Sequence, residues 1–86
     1  MKLIKSEQIK VVEKGKEVDF DRYDIEVGSQ ISTKEYSIVV DFKNKEITGD
    51  CVAYGSWYDI EEKEAVELLK EVMKNNKPIR DFTGLL

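Results

Sequence analysis

Residues 36–42 have the sequence Tyr36-Ser37-Ile38-Val39-Val40-Asp41-Phe42, in which large apolar side chains recur at every second position. A period of two predicts a β-strand with one face turned toward a core. Residues 43–45 then supply a polar turn, and residues 46–54 alternate again. One face of this next strand carries mostly small side chains, at Ile47, Gly49, Cys51 and Ala53. Two alternating segments around a short turn predict neighbouring antiparallel strands.

Two further strands are predicted on the N-terminal side. Ile9 and Val11 alternate with polar residues, and residues 14–16 contain a glycine suited to the positive φ of a tight hairpin. The second of these strands changes phase, because Val18 and Phe20 are out of step with the later apolar residues Tyr23, Ile25 and Val27. A β-bulge near Asp21-Arg22 would bring both apolar sets onto one face, so we expect one there.

A single helix is predicted over residues 60–75. Asp59 is a suitable N-cap with Glu62 three residues later, and Pro78 follows the C-terminal end. The apolar positions fall on one broad stripe, formed by Ala65, Val66, Leu68, Leu69, Val72 and Met73. We therefore expect an α+β fold in one domain, residues 1–86. Its predicted architecture is a four-stranded antiparallel β-meander with one C-terminal α-helix packed on one face.

Composition removes several classes of chemistry. The 86 residues include no histidine and one cysteine, which argues against Ser-His-Asp and Cys-His catalysis and against zinc sites that need histidine or several cysteines. Glycine-rich phosphate-binding loops are also absent from the sequence. We expect no enzymatic activity, no metal site and no cofactor, with Cys51 as a small core residue. No apolar run is long enough to cross a bilayer, so the sequence predicts a cytoplasmic protein without a membrane partner.

Charge is distributed unevenly along the chain. Residues 1–16 contain five lysines and two glutamates, whereas residues 17–26 contain five acidic residues and one arginine. With the expected bulge, one face of the second strand would carry the carboxylates Glu17, Asp19, Asp21, Asp24 and Glu26. Such a stripe could attract a basic partner, and the alternative interpretation is a solvated strand face.

Aromatic residues cluster in Tyr54-Gly55-Ser56-Trp57-Tyr58, between the last predicted strand and the helix. Trp and Tyr are enriched among residues that dominate binding energy, although Trp57 could instead close the end of the core. Val39, Val52 and Tyr54 are predicted on the sheet face away from the helix, where they would form one small apolar patch.

These features favour a non-catalytic protein-binding module, such as a small acidic inhibitor or a mobile-element-type protein. The partner would be another protein or a second copy of this chain. The expected contact residues are Val39, Val52, Tyr54, Trp57, Tyr58, Asp19, Asp21 and Asp24. The alternative is a nucleic-acid-binding sheet, with Tyr23, Tyr36 or Tyr54 stacking on bases and N-terminal lysines on phosphates. The formal net charge of −4 opposes that alternative.

Overall fold

The computed structural model describes residues 1–28 and 31–86. Within them, one antiparallel sheet has its strands in chain order, followed by one α-helix and a C-terminal 3-10 turn at Thr83–Leu85. The strands are β1 (Lys2–Glu13), β2 (Lys16–Gly28), β3 (Thr33–Asp41), β4 (Glu46–Ala53) and β5 (Ser56–Asp59), and the helix is α1 (Glu62–Val72). The α+β class and the β-meander are as predicted. The described sheet has five strands where four were expected, because residues 56–59 turn back and pair with β4.

Two tight turns set the registers of the outer hairpins. Lys14 and Gly15 have φ values of 51° and 76° between β1 and β2, and Tyr54 and Gly55 have 53° and 77° between β4 and β5. Positive φ at both central residues is the signature of type I′ turns, whose twist matches that of the flanking strands. The hairpin predicted around Gly15 is thus confirmed. The second turn explains the extra strand, because a two-residue connection brings residues 56–59 directly alongside β4.

The bulge expected near Asp21-Arg22 is wrong. β2 pairs with β3 without interruption from Phe20 to Gly28, and the irregularity lies in β1, between Leu3 and Lys5. β2 has a partner on each side, so an inserted residue would disturb two ladders, whereas a bulge in the edge strand β1 disturbs one. Val18 and Phe20 consequently lie on the face opposite to Tyr23 and Ile25.

One apolar core joins the sheet to the helix and the C-terminal tail. Its buried members are Tyr23, Ile25, Tyr36, Ile38, Val40, Ile47, Ala65, Leu69, Val72 and Phe82. Gly49 leaves room for two neighbouring side chains, because a Cβ atom there would be 2.8 Å from Cδ1 of Ile38 and 3.0 Å from Cδ1 of Ile60. The small face predicted for β4 therefore lies against the core, and Cys51 packs beside it, half-buried.

The helix is shorter than the predicted 60–75. Asp59 does not cap it, because that residue belongs to β5 and pairs with Asp50 of β4, and the amide of Ile60 still donates to the carbonyl of Gly49 at 3.0 Å. Glu61 occupies the N-cap position without a side-chain capping hydrogen bond, and Met73 is the C-cap. In the described residues, no helix is both long and apolar enough to span a membrane.

After α1 the chain returns across the helix-covered face of β2. The amide of Ile79 donates to Oη of Tyr23 at 3.0 Å, and the Tyr23 and Phe82 rings lie 6.4 Å apart between centroids. Burial raises the pKa of Tyr23, and the hydrogen bond from Ile79 partly offsets that rise. The tail is therefore an ordered part of the core, a property that the sequence left open.

Candidate interaction surface

The sheet face that α1 leaves uncovered, here called the open face, carries two rows of side chains set by strand register. The first row contains Asp24, Ser37, Asp50 and Asp59, which are neighbours on β2, β3, β4 and β5. The second row contains Glu26, Glu35, Val52 and Trp57 on the same four strands. Directly paired residues project from the same face of a sheet, so acidic groups border an apolar pair at the β5 edge.

Val52 and Trp57 form that apolar pair. Trp57 is 56 % exposed, although a tryptophan is a large apolar group that proteins usually cover. Tyr54 is fully exposed in the turn that joins their strands. Beside them is a depression of about 280 Å³, lined by Ser32, Thr33, Lys34, Val52, Ala53 and Tyr54. The turn thus combines an exposed aromatic surface with a recess into which a partner's side chain could fit.

Two of the predicted apolar and aromatic contact residues are not part of this cluster. Tyr58 pairs with Cys51 and therefore faces the opposite side of the sheet from Trp57. Val39 is on the open face, but it lies between Arg22 and Thr48. Four residues along the ladder separate the Val39 row from the Val52 row, or roughly 13 Å. The expectation that Val39 would form one apolar patch with Val52 and Tyr54 is wrong, because the Ser37–Asp50 pair lies between them.

Asp50 and Asp59 bring two carboxyl groups together beside Trp57. A hydrogen bond with Asp59 raises the pKa of Asp50, and burial and repulsion between the two groups raise it further. β4 and β5 contain no lysine or arginine to neutralise the pair. Negative charge is therefore concentrated at this edge of the open face, where a partner's cation would relieve the repulsion.

The expected acidic stripe does not exist as one surface. Without a bulge in β2, Asp19 and Asp21 face the helix-covered side and Asp24 faces the open side. Asp21 is completely buried. Asp24 is paired within its own strand, with Nε of Arg22 3.1 Å from its Oδ1. Asp21 is thus unavailable to a partner, and Asp19 is on the face opposite to Asp24.

Arg80 of the tail pairs with both the buried Asp21 and the partly buried Asp19. Its Nε donates to Oδ1 and Oδ2 of Asp21 at 3.2 and 3.1 Å, and its Nη2 donates to Oδ1 at 2.7 Å. Nη1 lies 2.8 Å from Oδ1 of Asp19, so the same guanidinium also forms an ion pair with this second carboxylate. The hydrogen bonds to Asp21 raise the pKa of Arg80 despite its partial burial. The guanidinium carbon also lies 3.9 Å from the ring centroid of Phe42. This cluster holds the tail to the sheet.

Sequence reasoning placed Glu26 in the acidic stripe but missed the other acidic residues that accompany Trp57, namely Glu35, Asp50 and Asp59. Part of the sequence signal for this pairing is the glycine at position 55, which suits a tight turn. Once β5 is recognised, a turn at residues 54–55 aligns Asp50 with Asp59 and Val52 with Trp57. In the described ranges 1–28 and 31–86, no group of three or more acidic or cysteine side chains is arranged to hold a metal ion.

Comparison with known proteins adds no assignment: no protein family, curated protein or solved structure matches this chain. The geometry of the open face is therefore the basis for a functional proposal.

Proposed function

We propose that this protein is a non-catalytic binding module that captures a basic segment of another protein on the β5 side of its open face. The observation that carries the proposal is the half-exposed Trp57, paired with Val52 and bordered by carboxylates in both rows. Desolvated aromatic residues surrounded by charges that match the partner are typical of binding hot spots.

The partner's chemistry follows from the residues around Trp57. Glu35 precedes Val52 in one row, and Asp50 and Asp59 lie in the next. A lysine or arginine side chain of the partner would interact with these carboxylates, while an apolar side chain would cover Trp57 or enter the recess beside Tyr54. A small acidic inhibitor that covers a basic site on its target would use such a surface.

A nucleic-acid-binding role receives less support from the same geometry. Tyr23 is completely buried and Tyr36 is 9 % exposed, so neither ring can stack on a base while the core is intact. The acidic rows would repel phosphates from the open face. Binding to single-stranded DNA is therefore kept as an outcome of the test.

Trp57 and Tyr58 provide a matched pair of variants for that test. They are neighbours, 56 % and 54 % exposed, on opposite faces of β5. The wild-type protein, Trp57→Ala and Tyr58→Ala are immobilised for affinity capture from a lysate of the native host, with quantitative mass spectrometry. We expect at least one basic protein to be retained by the wild type and by Tyr58→Ala and lost with Trp57→Ala.

A purified partner then allows a direct titration. Trp57 is the chain's only tryptophan, so its fluorescence in the wild type reports on the proposed surface. A shift of its emission to shorter wavelength on binding is expected, because the partner would remove water from the indole. Equal capture by all three proteins, or binding of single-stranded DNA that depends on the N-terminal lysines, would contradict the proposal.

A further inference from the structure

The outer edge of β1 is a second surface, remote from Trp57. In the described chain β1 pairs only with β2, and from Lys5 to Glu13 that pairing is unbroken over nine residues. The irregularity between Leu3 and Lys5 ends this regular stretch on one side, and the turn at residues 14–15 ends it on the other. A long, regular edge strand offers backbone groups for pairing with another strand.

The turn geometry decides which backbone groups face outward. In a two-residue hairpin the residues that flank the turn, here Glu13 and Lys16, form a hydrogen-bonded pair. Hydrogen-bonded and non-hydrogen-bonded pairs alternate along the ladder, so every second residue counted back from Glu13 directs its amide and carbonyl groups toward β2. The residues between them direct their amide and carbonyl groups away from the sheet, and these are Ser6, Gln8, Lys10 and Val12.

We propose that two copies of the protein associate by antiparallel pairing of their β1 edges about a twofold axis at Ile9. Ile9 is the midpoint of the regular stretch, so this register uses all nine residues. It sets Gln8 opposite Lys10 of the second copy, which are both residues with outward backbone groups. It also sets Lys5 opposite Glu13 of the second copy, twice by symmetry.

Charge complementarity selects a second copy over another strand. Lysines on an edge strand usually oppose pairing, but in this register each Lys5 meets a carboxylate. Its contact with Glu7 in the same strand is long, at 3.6 Å, and both side chains are well exposed. Exposed pairs of this kind contribute little stability, so exchanging Glu7 for Glu13 of the second copy costs little.

Apolar side chains continue across the same axis. On the open face Ile9 pairs with Phe20, and Val11, which is 49 % exposed, pairs with Val18. Pairing at Ile9 would bring the two Ile9 side chains together. The apolar group formed by Ile9, Val11, Val18 and Phe20 in one copy would then adjoin the same group in the other. Removal of this apolar surface from water favours association.

The dimer is independent of the proposed binding function. β5, which carries Trp57, is the opposite edge of the sheet from β1. Two copies joined at β1 would therefore leave both Trp57 surfaces free. Loss of self-association and loss of partner binding are separate results.

Cysteine crosslinking tests the register. In a Cys51→Ser background, Ile9→Cys should give a covalent dimer under mild oxidation, because the two Cα atoms of a non-hydrogen-bonded pair lie about 4.5 Å apart, within reach of a disulfide. Val11→Cys is the matched control on the same strand face. Its two copies would lie four residues apart along the ladder, roughly 13 Å, which is too far. Equal crosslinking of the two variants, or none for Ile9→Cys, would overturn the proposed register.

A charge exchange tests the pairing without cysteine. Sedimentation equilibrium of the wild type should show a reversible monomer–dimer mixture as concentration rises. Lys5→Glu and Glu13→Lys should each weaken dimerisation several-fold, and the double variant should restore it. Both positions are exposed, and circular dichroism confirms that each variant is folded. A wild type that stays monomeric, or a double variant as weak as the single ones, would refute the dimer.

Discussion

Arg80 and Asp21, 59 residues apart in the chain, are joined by three hydrogen bonds that tie the C-terminal tail to the middle of the sheet. Asp21 is completely buried, whereas the Arg80 side chain is 26 % exposed. The pair is therefore asymmetric: Arg80 can be rehydrated if the contact breaks, but Asp21 cannot without local unfolding. Tail docking depends on keeping the buried carboxylate neutralised.

Arg80→Met should destabilise the protein by about 3 kcal/mol, because it leaves Asp21 as a buried charge without its partner. Methionine keeps most of the side-chain length over Phe42 and removes only the charge and the hydrogen bonds. The free energy of unfolding from urea titration measures the effect.

Arg22→Met is the matched control for that experiment. Arg22 also pairs with an aspartate, Asp24, but the two side chains are 42 % and 25 % exposed. We expect a loss of about 0–1 kcal/mol, as is usual for pairs in contact with water. Similar losses for the two variants would show that Arg80 is not a buried clamp.

Leu69→Ala should cost about 2–5 kcal/mol by leaving a cavity, because Leu69 is completely buried in the core that α1 shares with the sheet. Glu67→Ala, on the exposed side of the same helix, should change stability little. A loss below about 1 kcal/mol for Leu69→Ala in urea titration would contradict the packing of this core.

The main features of the fold follow from local sequence patterns. The alternation at residues 36–42, the glycine of the first hairpin and the apolar stripe of α1 predict the strands, the turn and the helix correctly. Each of these signals depends on residues near one another in the chain, where period and turn chemistry are decisive.

The phase change in β2 could not be solved from local sequence. A bulge at Asp21-Arg22 would place all apolar residues on one face, whereas the structure puts Val18 and Phe20 on the open face and buries Asp21 instead. The burial of Asp21 is tolerated only because Arg80 arrives from the tail. A contact over this distance in the chain leaves no periodic signal, so the acidic stripe was assigned to the wrong surface.

Local sequence also predicts only some of the residues that the structure brings together around Trp57. Val52, Tyr54 and Trp57 were identifiable as exposed aromatic and apolar candidates near the end of the sheet. The carboxylates of Asp50 and Asp59 become neighbours only through the β4–β5 pairing, which a four-strand interpretation omits.

Asp50→Asn should raise stability at neutral pH. The pKa of Asp50 is raised above its ordinary value of 3.8, first by the hydrogen bond with Asp59, so the folded state holds the Asp50 proton more tightly than the unfolded state. The stabilisation that comes from this bound proton is complete below about pH 3.8 and is lost as pH rises through the pKa of Asp50 in the folded state. The advantage of Asp50→Asn in melting temperature should therefore shrink on acidification.

Asp81→Asn is a control of opposite sign. Hydrogen bonds from the amide and hydroxyl of Thr83 lower the pKa of Asp81. The ionised Asp81 therefore stabilises the folded state at pH values above its ordinary pKa of 3.8, and this stabilisation is lost as pH falls. This variant should melt at a lower temperature than the wild type at neutral pH. If Asp50→Asn behaves in the same way as Asp81→Asn, the carboxyl pair beside Trp57 is not repulsive.

The final prediction concerns how the open face divides binding energy from encounter rate. Trp57→Ala should weaken partner binding by at least about thirtyfold, mainly through faster dissociation, because desolvated aromatic anchors hold complexes together. Glu35→Gln should instead slow association, several-fold at low salt and little at high salt, because exposed charges steer encounter and are screened by ions. Asp21 cannot serve this purpose, since it is buried and bound to Arg80.

Surface plasmon resonance with the partner identified by capture measures both rates. Tyr58→Ala, on the other face of β5, should leave association and dissociation unchanged. Suppose that Glu35→Gln instead accelerates dissociation equally at low and high salt. Glu35 would then be a direct contact within the desolvated centre, and the bound segment would extend from Trp57 across β4 to β3. If neither Trp57→Ala nor Tyr54→Ala alters dissociation, the partner does not bind at the β5 edge at all.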